Sequence, residues 1–419
     1  MKNIFILVFI LFFRLSFGQN LEYARSTVET LCSREFAGRG YVNDGNQKAA
    51  DFIKSEYKKL GLLQFNKDYF QPLGFPVVYY PSKVELSVDD VELEPGTEFM
   101  LNAGCPEISG RFKILYIDSA SIDNSNEFRK LESKARNKFI FFDQLKNTKF
   151  THPERFKLIS SNAIKARGII TRDLEKFTWS VHPEWADFPV VQIKKGRFSH
   201  FMVEMKIDID AQFKFHNTQN IVGYIKGKSQ PDSFIVFSAH YDHLGMFGEK
   251  TMFPGANDNA SGVAMMLDMA DYFKSHPPKY SIAFIAFTGE EIGLLGSYYY
   301  TQNPLFPLNQ IALLLNLDLM GTGDKGMTAV NATEFKEEFL MLQNLNADSN
   351  YLVTVNARGK AQNSDHYFFT EAGVKSFFFY LMGDYHYYHD VEDSYEALTF
   401  SRYNEAFRLI RDFVLEYQK

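Results

Sequence analysis

The chain has 419 residues, 45% of them hydrophobic and 23% charged, with a formal net charge of −6. That length exceeds one ordinary compact domain, so one large domain with an insertion, or two domains, is expected. The mild negative balance leaves no electrostatic footprint for nucleic acid or an anionic membrane.

The first 18 residues read as a leader. Lys2 precedes an apolar run from Ile4 to Phe13, and Ser16-Phe17-Gly18 forms a small-residue ending before Gln19. That is the layout of a secretory signal peptide. The run is shorter than the ~20 apolar residues a bilayer span needs, so an exported chain, periplasmic or extracellular, without a stable membrane anchor is expected. Cys32 and Cys105 are the two cysteines, and their default reading is two isolated buried thiols. No paired-cysteine zinc spacing exists, so any zinc would be held by histidine and carboxylate.

Residues 21–62 show helical spacing, with Ala49, Ala50, Phe52, Ile53 and Tyr57 on one face and Gly61 as a closing cap. Residues 66–100 alternate as strands, and VELSVDDVELEPG reads as a hairpin. From 101 to 205, short β-like runs alternate with polar, weakly helical links, which predicts a small β-rich insertion within a main domain of 19–100 and 206–419. His152 and His182 each precede proline there and read as surface residues. After 216 the rhythm becomes α/β, with NIVGYIKG, FIVFSAH, SIAFIAFTG, IALLLNLDLMG and VKSFFFYL as strands between helices. Continuous apolar strands predict a mostly parallel sheet flanked by helices on both faces.

Five segments carry chemistry. His240 and Asp242 end a strand as H-x-D, where positions i and i+2 share a face; one can ligate a metal while the other orients the ring. Asp258 stands in GANDNASGV ahead of a helix, where an N-cap is the default reading. Glu290 and Glu291 follow an apolar strand and can complement a helix dipole, or one can bind metal while the other accepts a proton. Asp318 lies within LLLNLDLMG, where an unpaired carboxylate is costly, with Asn316 on the same face. YHYYHDVEDSYE offers His386 and His389, one as ligand and the other as a loop residue. His243 and His366 fall to packing or outer-shell roles. All these groups gather at predicted strand ends, where open α/β sheets bind ligands.

H240-Y-D242, G-A-N-D258-N-A-S-G, G-E290-E291-I-G-L-L-G-S, N-L-D318-L-M-G and Y388-H389-D-V-E-D393 resemble the di-zinc aminopeptidases of metallopeptidase family 28. The resemblance runs over roughly 216–419, and FAGRGYVNDGNQKAADFIKSEYKKLGL is similar to the family's N-terminal helices. The segment 101–205 resembles the protease-associated domain that many members carry. The resemblance implies a zinc exopeptidase-like fold and two Zn2+ bridged by Asp258. His240 and Asp318 would complete one site, and Glu291 and His389 the other. Glu290 would be the general base, Asp242 would orient His240, and Tyr388 would stabilise the oxyanion. A cis peptide at Asp258–Asn259 is also implied, and Ser364-Asp365-His366 would wall the substrate pocket. Lys375 stands where the family commonly has proline. The substrate implied is a peptide with a free N-terminus. Glutaminyl cyclisation, with one zinc, and a non-catalytic receptor-like role are the alternatives on the same fold.

Overall fold

The computed structural model describes residues 20–143, 151–174, 176–194, 196 and 202–419, so the leader-like segment 1–18 lies outside the described residues. Two helices come first, as the apolar periodicity predicts. Leu21–Cys32 buries Ala24, Val28 and Leu31, and Asn20 caps it by accepting from the Tyr23 amide. Gly45–Leu60 buries Ala49, Ala50, Ile53 and Tyr57 and stops where Gly61 turns left-handed at φ 69°. A residue without a Cβ takes that angle at little cost.

The central sheet has eight strands. Its four middle strands, in spatial order Tyr280–Phe287, Gln230–His240, Ile311–Leu317 and Ser376–Met382, run parallel. Gln212–Ile225 joins Tyr280–Phe287 antiparallel and carries Phe70–Tyr79 outside it. On the other flank Gly326–Val330 joins Ser376–Met382 antiparallel, and Val355–Ala357 closes the edge. The apolar runs are continuous because both faces are covered. Ile235, Phe237 and Ala239 pack into one layer, while Phe234 and Val236 pack into the other. Helices Leu21–Cys32, Gly45–Leu60, Ser261–Ser275 and Tyr403–Tyr417 cover the larger layer. Parallel strands share one carboxyl edge, and His240, the turn after Phe287, Asp318 and the loop after Met382 all leave from it.

A second eight-stranded sheet takes its strands from Val84 to Ile209. It starts earlier than the 101 expected from composition, because Val84–Val88 pairs with Glu204–Ile209 and Phe99–Leu101 pairs with Val190–Lys194. It is also less purely β than expected. Helices Ser125–Ala135 and Pro153–Ser160 cover one face through Leu131, Ala135 and Ile159. Cys32 and Cys105 are both free and buried. Among the described residues no helix is long and apolar enough to cross a membrane.

One buried charge makes the core pH-sensitive. Asp268, on helix Ser261–Ser275, is 1% exposed; its Oδ1 accepts from the Asn20 amide at 3.1 Å and its Oδ2 has no partner. Burial pushes its carboxyl up to about 7, against ~4 for an unfolded aspartate. The fold therefore favours the protonated form: its stability is fully present below the unfolded value and falls as pH rises through about 7. Asp268→Asn keeps the acceptor and removes the titration. The variant is expected to melt above the parent at about pH 8, with the gap closing near pH 5, in thermal unfolding followed by circular dichroism. A gap independent of pH would contradict this reading.

Candidate metal centre

Each candidate side chain is delivered by a strand end or the turn after it. His240 ends Gln230–His240 and is 1% exposed. Its Nδ1 faces the Asp242 carbonyl at 3.1 Å. A carbonyl only accepts, so Nδ1 carries a hydrogen toward it and Nε2 is the nitrogen left to face other groups. That Nε2 stands 3.3 Å from Asp258 Oδ1 and 3.5 Å from Asp318 Oδ1, with no hydrogen-bond partner. The Asp242 carboxylate has other work. Its Oδ2 accepts from the Tyr41 hydroxyl at 3.0 Å, and its two oxygens receive the amides of Glu290 and Glu291 at 3.3 and 3.4 Å. Asp242 thus meets His240 chiefly through its backbone and fixes the glutamate turn through its side chain.

Asp258 is not an N-cap, the default reading for its position: helix Ser261–Ser275 starts from Ala260 with no side-chain cap. The Asp258–Asn259 peptide is cis, as the resemblance implies. Gly255 precedes it at φ 64°, and a Cβ there would lie 2.2 Å from the Asp258 carbonyl oxygen, which only glycine avoids. Asp393 accepts from the amides of Asn257 and Asp258 at 2.8 and 3.1 Å. With its backbone held, Asp258 points Oδ1 at His240 and Oδ2 at His389 Nε2, each at 3.3 Å.

Glu290 and Glu291 lie in a turn, not at a helix start as the sequence predicts. Positive φ at Gly289, Gly293 and Leu294 delays the helix to Leu295–Gln302. Glu291 faces His389 Nε2 at 3.0 Å through Oε2 and His243 Nδ1 at 2.6 Å through Oε1. Glu290 is only partly buried, beside His240. Asp318 follows Ile311–Leu317 and closes a buried polar chain. Ser238 Oγ donates to Asn316 Oδ1, Asn316 Nδ2 to Ser364 Oγ, and Ser364 Oγ to Asp318 Oδ2, at 2.8, 2.8 and 2.9 Å. Asp318 Oδ1 is left without a partner. Between the two late histidines the structure is clear: His389 is 8% exposed and faces the carboxylates, while His386 is exposed. Tyr388 stacks on the His389 ring at 3.9 Å and is 50% exposed.

One expectation changes. Ser364, Asp365 and His366 are fully buried, so they support the site from below instead of walling a pocket. The chain from Asn316 through the Ser364 hydroxyl to Asp318 ties this turn beneath the site. Lys375 pairs with Glu338, away from this cluster. His243, read as packing or outer-shell, is 0% exposed and bonded to Glu291.

Burial and charge work against each other here. Burial alone would lower the His240 and His389 imidazoles, yet Glu290 and Asp318 hold His240 well above its usual value and Glu291 takes His389 to about 11. Burial would raise Asp258 and Glu291, but the facing imidazoles hold Asp258 well below the carboxylate range and Glu291 at about 2. Asp318 and Asp365 are left raised by burial, Asp365 to about 7. Carboxylates outnumber imidazoles, and cations answer that surplus. The donor sets His240–Asp258–Asp318, His240–Glu290–Glu291 and His243–Asp258–Glu291 each bring ligand atoms within 4.8 Å of one another. Mixed imidazole and carboxylate donors with an unpartnered His240 Nε2 fit zinc.

Residues 220–414 match the family described as Peptidase family M28. The chain is 35% identical over 251 residues to aminopeptidase YwaD of Bacillus subtilis, covering 54% of this chain and 51% of that protein. It is 38% identical over 107 residues to a probable zinc metalloprotease of Pyrenophora tritici-repentis, 25% of each. The chain thus spans about half or less of the length of these curated relatives. A crystal structure of BSAP, a zinc aminopeptidase from Bacillus subtilis, is similar over 94% of both chains, with a TM-score of 0.69 and 25% identity.

The residue most easily overlooked in the sequence is Arg39. It is fully buried, and its guanidinium donates to five carbonyls: Tyr241, Leu31, Pro254, Gly255 and Asp258. An arginine between small residues in FAGRG was the readable sign. Arg39→Met strands those acceptors, at a cost of roughly 3 kcal/mol or more. A melting temperature lower by about 5 °C or more is expected in calorimetry; an unchanged melting temperature would contradict the clamp.

Proposed function

The chain belongs to peptidase family M28 over residues 220–414, and from that premise we propose that it is a zinc-dependent aminopeptidase. The observation that carries the reading is Asp258, whose two oxygens each face a different imidazole at 3.3 Å. Two zinc ions would share this carboxylate, with His240 and Asp318 on one side and Glu291 and His389 on the other. Bound zinc supplies Lewis acidity that eases deprotonation of water and polarises a carbonyl.

The chain's own residues account for the rest. Glu290 takes the proton of the attacking water and returns it to the leaving amine. Burial of its carboxyl and the Glu291, Asp365 and Asp318 carboxylates push it well above the usual range while His240 lowers it; a carboxylate in such surroundings, once ionised, is a stronger base than a free one. Asp242 positions both His240 and the glutamate turn. Tyr388, stacked on His389 and half exposed, donates its hydroxyl to the oxyanion that forms at the scissile carbonyl. A cavity of about 270 Å³ beside Tyr388 and Asp393 is lined by Leu319, Tyr380, Leu381, Met382 and Tyr385. It would receive an apolar side chain at the substrate's N-terminus. Phe377, Phe378 and Phe379, earlier on the same strand, are core.

The start of the sequence supports export, to the periplasm or beyond the cell. The sheet between Val84 and Ile209 is proposed as a protease-associated-like unit.

A panel of aminoacyl-coumarin substrates, run with and without chelator, tests the activity. Cleavage of large apolar residues, abolished by chelation, is expected. Ammonia release from a glutaminyl peptide without cleavage would instead favour cyclisation. Glu290→Gln is expected to reduce turnover by about 100-fold or more while zinc content stays near two per chain. Full activity in that variant would remove Glu290 from the mechanism.

A further inference from the structure

The segment 176–182 follows strand Gly168–Leu174 of the second sheet and lies against the loop that carries Tyr388 and His389. Trp179 and His389 are tied in both directions. The Trp179 amide donates to the His389 carbonyl at 3.2 Å, and His389 Nδ1 stands 2.8 Å from the Trp179 carbonyl. That carbonyl accepts only, so Nδ1 carries a hydrogen toward it and Nε2 is the nitrogen turned to Asp258 and Glu291. Three residues earlier Lys176 Nζ donates to the carbonyls of His386 and Tyr388, the latter at 3.0 Å.

The strap has its own anchor. The Trp179 indole is 3% exposed and packs on Phe253, Phe247 and Tyr80 with ring centres 5.0, 4.9 and 5.9 Å away. Phe247 and Phe253 belong to the hairpin Gly245–Phe247 and Thr251–Phe253, which links His243 to the Asp258 turn. His389 itself sits at φ 54°, a conformation a histidine holds only when its surroundings fix it. Packing between two sheets would explain an apolar contact. It does not explain a carbonyl aimed at an imidazole nitrogen and a lysine spread over the two neighbouring carbonyls.

We propose that Lys176 and Trp179 are positioning residues through which the second sheet completes the catalytic centre: Trp179 sets the tautomer and aim of His389, and Lys176 fixes the loop that presents Tyr388 and His389. This rests on the zinc peptidase reading. It makes the inserted unit part of the machinery, so that its removal would disarm the site and not merely open it.

Lys176 is exposed, so its variants leave the core intact. The full chain is purified with zinc, and zinc per chain is measured first in the parent. Lys176→Met and Lys176→Arg are then compared by chelator titration, by kcat and KM on an apolar aminoacyl-coumarin, and by melting. Lys176→Met is expected to weaken the less tightly held zinc by about tenfold or more and to lower kcat. KM and melting should change little, and Lys176→Arg should restore both zinc affinity and kcat. Trp179→Ala should act in the same direction. Zinc affinity and kcat unchanged in Lys176→Met, in a parent that holds zinc, would overturn this inference alone. A parent without zinc would overturn the peptidase reading and this inference with it.

Discussion

A carboxylate held between two imidazoles is the constraint on which this structure depends. Asp258 is 3% exposed and meets His240 on one oxygen and His389 on the other. Asp242, Glu291, Asp318, Asp365 and Asp393 crowd the same region, against His240, His243 and His389. Burying that much negative charge without compensation is far more expensive than the net stability of a domain. Positive charge joining the cluster would relieve that cost, and the unpartnered His240 Nε2 and Asp318 Oδ1 stand 3.5 Å apart beside Asp258.

The remainder of the fold reads as the means of holding that carboxylate still. Parallel strands bring His240, the glutamate turn, Asp318 and the His389 loop to one edge. Arg39 clamps the carbonyls around Asp258 from beneath, and Asp393 takes the amides on its other side. Asp242 fixes the glutamate turn, Ser364 fixes Asp318, and Trp179 fixes His389. Each group that faces the centre is oriented by a partner that does not, which is how a site is kept in one geometry.

Much of this was legible in the sequence, because it follows from local pattern. Apolar runs gave the strands, and polar residues just beyond them gave the five chemical segments. What escaped has tertiary causes. Arg39 looks like an ordinary surface arginine until the carbonyls of residues some two hundred positions away close around it. The tie between Trp179 and His389 is made by a backbone carbonyl, which no side-chain pattern announces. The helix after Glu291 starts late because Leu294 takes a positive φ, a choice composition does not show. The second sheet reaches back to Val84 because strand pairing, not local character, draws its outline.

On the proposed reading, cations sit on either side of Asp258. Crystals of the purified chain, measured at the zinc absorption edge, address it directly. Two anomalous peaks flanking the Asp258 carboxylate are expected, one toward His240 and Asp318 and one toward Glu291 and His389. Crystals of zinc-loaded protein with no peak at Asp258, or with zinc held elsewhere, would contradict it.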